Sequence, residues 1–135
     1  MNSYIAGLMA LLFITCGSAQ AQFFSSDDTV KDVTTGVTWL RCSVGQVWDP
    51  SVETCTGKIV KLNHEEIAIA LTQAKEQLGG EWRLPSRKEL VSLVCDDCAS
   101  PKINSKYFPN LSSEAYWTGD KNWMNPRTYW TVNFM

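Results

Sequence analysis

The chain has 135 residues, with 12 Lys and Arg against 14 Asp and Glu, a formal net charge of −2. That balance excludes general affinity for nucleic acid or anionic membranes, both of which require a basic excess. The absence of any internal repeat or heptad excludes a solenoid or fibre, and a single His leaves little scope for a His-based triad.

Residues 1–21 contain no Lys, Arg, Asp or Glu, and Ile5 to Ile14 form an apolar run. Such a run suits the core of a signal peptide and is too short to span a bilayer. Ala19-Gln20-Ala21 places small residues at the −3 and −1 positions of a cleavage site. The start, Met1-Asn2-Ser3-Tyr4, supplies only its free amine as positive charge. Lipidation at Cys16 is disfavoured, because Phe13-Ile14-Thr15 lacks the small residue expected before a lipidated Cys. The expectation is a leader over 1–21 cleaved near Ala21. The mature chain is then periplasmic, extracellular or on the cell surface, and does not span the membrane.

Export leaves four cysteines, Cys42, Cys55, Cys95 and Cys98. An even number in an oxidising compartment points to two disulfides. Four cysteines allow three connectivities and spacing alone does not choose among them. The local pairs, Cys42 with Cys55 and Cys95 with Cys98, are favoured.

Residues 22–28 are mostly polar apart from Phe23 and Phe24 and are expected as a flexible lead-in to one domain over 29–135. Thr29 to Val33 and Val37 to Arg41 flank the turn signal Thr34-Thr35-Gly36 and predict a hairpin. Cys42 to Gly57 is rich in turn residues and predicts a loop closed by a disulfide. Lys58 to Leu62 predicts a short strand.

Asn63 caps a predicted helix, with Glu65 and Glu66 at the positive end of its dipole. Ile67, Ala70, Leu71, Ala74 and Leu78 recur at helical spacing and predict one buried stripe. Gly79-Gly80 stops the helix. Ser86-Arg87-Lys88-Glu89 after Pro85 is a capping box for a second, short helix ending near Cys95, which buries Leu90, Leu93 and Val94.

Pro101 and Pro109 mark a long irregular stretch. Ala115 to Thr118 and Thr128 to Phe134 predict a last hairpin around the loop Gly119 to Arg127. Trp130, Val132 and Phe134 share one face of its final strand, and Tyr129, Thr131 and Asn133 the other. Hairpins at both ends with two helices between them make an α+β pattern.

Several segments together resemble one known family. Asp32-Val33-Thr34-Thr35-Gly36-Val37-Thr38-Trp39-Leu40-Arg41-Cys42 resembles its opening D-x-x-T-G-L-x-W-x-R-C. Gly45-Gln46-Val47-Trp48-Asp49 with Cys55-Thr56-Gly57 resembles its first loop. Glu81-Trp82-Arg83-Leu84-Pro85 followed by Glu89-Leu90 resembles D/E-W-R-L-P-x-x-x-E-L. Lys102-Ile103-Asn104 with Tyr107-Phe108-Pro109, Trp117-Thr118, and Tyr129-Trp130-Thr131-Val132-Asn133-Phe134 resemble its remaining motifs. The chain looks like a Lcl C-terminal domain, named for the C-terminal part of a bacterial collagen-like adhesin.

The resemblance implies a fold similar to C-type lectins and to the formylglycine-generating enzyme group, with two helices packed on antiparallel hairpins. It implies a surface or periplasmic role and leaves room for a homo-oligomer. In the namesake adhesin the domain binds sulfated glycosaminoglycans. Members usually continue past V-N-F with another hairpin and a strand like V-R-x-V-R, whereas this chain stops at Met135. The expectation is therefore a C-terminally truncated domain with an unpaired edge, a liability for aggregation, unless a partner supplies the strand.

Cys95-Asp96-Asp97-Cys98 follows a helix and encloses two carboxylates, both of which raise a thiol's pKa, so a structural disulfide outweighs a redox pair. A four-cysteine zinc site is disfavoured because Cys42 and Cys55 are too far apart for a zinc-ribbon pair. Nothing gathers the six to eight oxygens calcium needs, and no Glu-Pro-Asn lectin loop occurs. His64, at the start of a helix, reads as an ordinary exposed residue.

Trp39, Trp82, Trp117 and Trp130 are assigned to the core. Trp123 stands apart in the last loop with Asp120, Lys121, Asn122, Asn125 and Arg127, and Asp120, Lys121, Trp123, Asn125 and Arg127 are the candidate ligand-binding residues. Arg83, Arg87, Lys88, Lys102 and Lys106 form a thin basic set for sulfates. The leading expectation is an exported non-catalytic module with no cofactor that binds a glycan or a cell-surface protein. The alternatives are a periplasmic thiol-redox or metal protein using Cys95 and Cys98, and a truncated remnant with no function of its own.

Overall fold

The structure is a computed structural model and describes residues 22–135. The expected leader lies outside the described residues. Among the described residues, seven strands and two helices follow one another as β1 (Phe23–Ser26), β2 (Thr29–Asp32), β3 (Thr38–Leu40), β4 (Gln46–Asp49), β5 (Thr54–Gly57), α1 (His64–Leu78), α2 (Arg87–Val91), β6 (Ala115–Lys121) and β7 (Tyr129–Asn133). The strands form three antiparallel sheets, ordered β1-β2-β3, β4-β5 and β6-β7. The architecture is α+β, built of hairpins with two helices between them.

Strands β2 and β3 form the predicted hairpin, with Val30 opposite Trp39. Its turn is organised by Asp32, fully buried. The carboxylate accepts from the amides of Thr34 at 2.8 Å and Thr35 at 3.3 Å, and Gly36 takes the positive φ of 74° that closes the turn. Burial alone would raise the Asp32 pKa, but the hydrogen bonds from Thr34, Thr35 and Gln22 hold it below the ordinary carboxylate value.

The segment expected as a loose lead-in contains β1, paired to β2 with Phe23 opposite Asp32. The physical reason is Phe23, whose ring centroid sits 5.1 Å from that of Tyr107 and 6.0 Å from that of Phe108. The loop expected between Cys42 and Gly57 contains the ladder β4-β5, in which Trp48 faces Cys55, and the Cys42–Cys55 disulfide ties it to the end of β3. Lys58 to Leu62 is not a strand. It makes one ladder-like contact, Val60 N–H to Val44 C=O at 2.9 Å, and has no neighbouring strand to complete it.

Helix α1 begins as predicted. Asn63 accepts from the amides of Glu65 and Glu66, and Glu66 returns a carboxylate to the Asn63 amide. Its stripe is less buried than its spacing predicts: Ile67 is buried, Ala70, Leu71 and Ala74 are half-buried, and Leu78 is exposed. No described strand or helix packs closely against the body of α1. Helix α2 has the Ser86–Glu89 capping box but spans five residues and ends at Val91, short of Cys95.

The core consists of Val30, Leu90, Leu93, Ile103, Phe108, Val132 and Phe134. Ile103 and Phe108 come from the irregular stretch, which is pinned where the Lys102 amide donates to the Phe134 carbonyl. In β7, Val132 points inward with Trp130 half-buried beside it, Phe134 just beyond the strand is also buried, and Thr131 and Asn133 face water. No described Trp belongs to the fully buried set. The expectation of a tryptophan core is corrected to one of aliphatic and Phe side chains with Trp39 packed at its margin.

Arg41 anchors the hairpin to the irregular stretch. It is 8% exposed and donates to three backbone carbonyls, Tyr107 at 3.0 Å, Asp27 at 3.0 Å and Lys106 at 2.9 Å. Its guanidinium also lies 3.8 Å from the centroid of the Trp48 ring.

Candidate functional site

The loop from Asn122 to Thr128 stands at the end of the β6-β7 hairpin. Two asparagines shape it. The Asn122 side chain accepts from the Met124 amide at 3.0 Å and that of Asn125 from the Arg127 amide at 3.3 Å. The Asn122 amide donates to Thr128 C=O at 2.8 Å and closes the base. Asn and Asp favour such turns because a short polar side chain mimics a backbone acceptor.

On this fixed backbone Trp123 is 80% exposed and Met124 is 65% exposed. Asn125 and Arg127 are exposed beside them. An indole with so little packing contributes almost nothing to folding through burial.

Asp120 and Lys121, expected in the loop, are the last residues of β6 instead. The strand continues past an irregularity between Trp117 and Lys121, and Lys121 pairs with Tyr129. Thr118 is fully buried there, its hydroxyl donating to Trp130 C=O at 2.9 Å. Asp120 is engaged in the fold: its carboxylate accepts from the Arg87 amide at 2.7 Å.

That bond brings α2 against the hairpin. The Arg87 guanidinium lies 4.9 Å from the Trp130 ring centroid. Arg87, Lys88, Val91, Asp120, Lys121 and Trp130 line a shallow cleft of about 500 Å³, within the ~300–1,000 Å³ range of small-ligand pockets. Sequence reasoning named Arg87 and Lys88 as basic residues and Lys121 as a loop residue. It had no signal that Asp120 would join them, because that contact spans 33 positions.

The remaining members of the basic set are occupied elsewhere. Arg83 forms a two-pronged pair with Glu89, at 2.9 and 2.8 Å. This pairing and the Ser86 amide pull the Glu89 pKa down to about 2. Lys102 donates to Asp96 C=O at 2.9 Å, and Lys106 lies 5.5 Å from the Tyr107 ring centroid.

The four cysteines form two disulfides, Cys42–Cys55 and Cys95–Cys98. Among the described residues, no three His, Cys, Asp or Glu side chains are grouped to hold a metal ion, and no helix is long and apolar enough to cross a membrane. His64 is not the ordinary exposed side chain expected. It is half-buried, stacked 3.4 Å from Tyr129 and edge-on to Trp117 at 5.2 Å.

The model of the Lcl C-terminal domain matches residues 28–135. The chain belongs to the Lcl C-terminal domain family. Comparison with curated proteins and with solved structures found no match. For this Lcl C-terminal domain, the motif residues now have structural duties. Asp32 and Gly36 build the first turn, Arg41 and Cys42 tie the hairpin down, and Ser86 and Glu89 start α2. Trp123 has no such duty.

Proposed function

We propose that this Lcl C-terminal domain is an exported, non-catalytic binding module of C-type-lectin-like fold that recognises an acidic glycan through the tip of the β6-β7 hairpin. The observation that carries the reading is Trp123, 80% exposed on a loop whose backbone is already satisfied by Asn122 and Asn125. An aromatic face presented on a rigid turn stacks on a sugar ring. Arg127 on the loop, with Lys88 and Lys121 in the adjoining cleft, supplies cations for sulfate or carboxylate groups. Asp120 holds α2 in place beside them. Two disulfides suit an oxidising compartment, and the family's association with an adhesin suits a surface role.

The test is heparin affinity chromatography at low salt, combined with a glycan array, on the wild type and on Trp123→Ala and Arg127→Ala. The wild type is expected to be retained. Trp123→Ala is expected to weaken binding about tenfold, in keeping with the ~1–3 kcal/mol of an aromatic anchor, with the thermal melt unchanged. No retention and no array hits, or equal retention of Trp123→Ala, would remove the reading.

A further inference from the structure

The segment Lys121 to Thr128 carries two cations, Lys121 and Arg127, and no acid. Between the cations stand Trp123, 80% exposed, and Met124, 65% exposed. Among the described residues, no other two exposed large hydrophobic side chains are neighbours in sequence. Stacking on a sugar ring employs the indole and leaves the thioether chain without a partner. Met is flexible and polarizable and fits irregular apolar surroundings, which a hydroxyl-covered sugar does not provide.

The backbone under this pair supplies its own hydrogen-bond acceptors. The Asn122 amide donates to Thr128 C=O, the Asn125 amide to Asn122 C=O and the Thr128 amide to Asn125 C=O. The amides of Met124 and Arg127 donate to the Asn122 and Asn125 side chains, and Pro126 has no N–H to satisfy. A loop bathed in water does not need these acceptors, because water supplies them. A loop that enters a lipid boundary does, since a backbone group left unpaired there costs at least a lost hydrogen bond.

The flanking charges fit the same boundary. Trp favours the headgroup level of a bilayer, and Lys and Arg reach from there to phosphates and water. Lys121 and Arg127 are both exposed. Neither charge nor apolar area suffices alone: the chain as a whole is formally −2, and even one myristoyl chain holds a protein to a membrane only marginally. A lipid contact of two side chains counts only when a sugar contact acts with it on the same surface.

Building on the glycan reading above, we propose that the sugar is the headgroup of an acidic glycolipid. Trp123 stacks on the ring, Lys121 and Arg127 meet its sulfate or carboxylate, and Met124 enters the lipid boundary beneath it.

The test presents one heparin-derived hexasaccharide to the full chain in three forms: free, coupled to a hydrophilic bead, and coupled to phosphatidylethanolamine in phosphatidylcholine vesicles. The bead and the vesicle carry equal sugar densities, and bare vesicles are the control. Binding to the vesicle form is expected to be about tenfold tighter than to the free or bead form, with no sedimentation on bare vesicles. Met124→Ser is expected to lose that tenfold gain while its affinity for the free hexasaccharide stays unchanged. Bromine-labelled acyl chains are expected to quench indole fluorescence of the bound wild type, and far less that of Trp123→Phe. Equal affinity for all three forms overturns the proposal and leaves the glycan reading standing. A vesicle gain that survives in Met124→Ser overturns it, as does equal binding to bare vesicles. No binding of the hexasaccharide in any form removes the glycan reading and the proposal together.

Discussion

Arg41 carries more of the fold than any other charged residue. Its guanidinium answers three part-buried backbone carbonyls from two separate segments. Removing a buried partner leaves the desolvation cost of the groups it satisfied, ~1–3 kcal/mol each. Arg41→Ala is expected to destabilise the domain by about 3 kcal/mol in urea unfolding, and Arg41→Lys by less, since one ammonium cannot span all three carbonyls. A loss under 1 kcal/mol would contradict the role.

Glu89 adds a pH dependence. Its folded pKa of about 2 lies below the ordinary 4.5, so the stabilisation is present in full above pH ~5 and is lost as pH falls toward 2. Arg83 is 64% exposed, and screening limits the effect to about 1 kcal/mol. Glu89→Gln is expected to flatten this part of the acid limb in unfolding curves measured between pH 5 and 2. An unchanged acid limb would contradict the assignment.

At the scale of elements, what could be read from the sequence was what is local. Asn63, Glu66, Ser86 and Glu89 announce both helix starts because a capping box closes within four residues. The first hairpin was legible from its turn and β-branched flanks. β1 was not, because the side chain that packs it onto the core, Phe23, meets Tyr107 and Phe108 across more than eighty positions. Strand propensity in Lys58 to Leu62 misled for the converse reason: β preference has no effect where no neighbouring strand completes the ladder.

The two disulfides should differ in strength. Cys42–Cys55 spans 13 positions and Cys95–Cys98 spans 3. Loop-closure entropy gives about 3 kcal/mol for the first and about 2 for the second. Paired Cys→Ser variants measured by urea unfolding are expected to show that order, and the reverse order would show that strain or packing governs instead.

Across the whole molecule, the residues that hold the fold and those proposed to bind are separate sets. The aliphatic and Phe core, Arg41 and the disulfides hold the fold together, while Trp123 and the neighbouring basic side chains remain free of it. Trp123 was legible as a candidate because it stands among turn residues, outside any periodic face. The cleft beside it was not, since α2 and β6 meet only in three dimensions. The chain contains six Trp, and their indole N–H signals report on different regions of the molecule. NMR titration with a heparin-derived hexasaccharide is predicted to shift Trp123 most and Trp130 next, leaving Trp39, Trp48 and Trp82 in place. No shift at Trp123 at saturating sugar, or larger shifts at Trp39, would contradict binding at the hairpin tip.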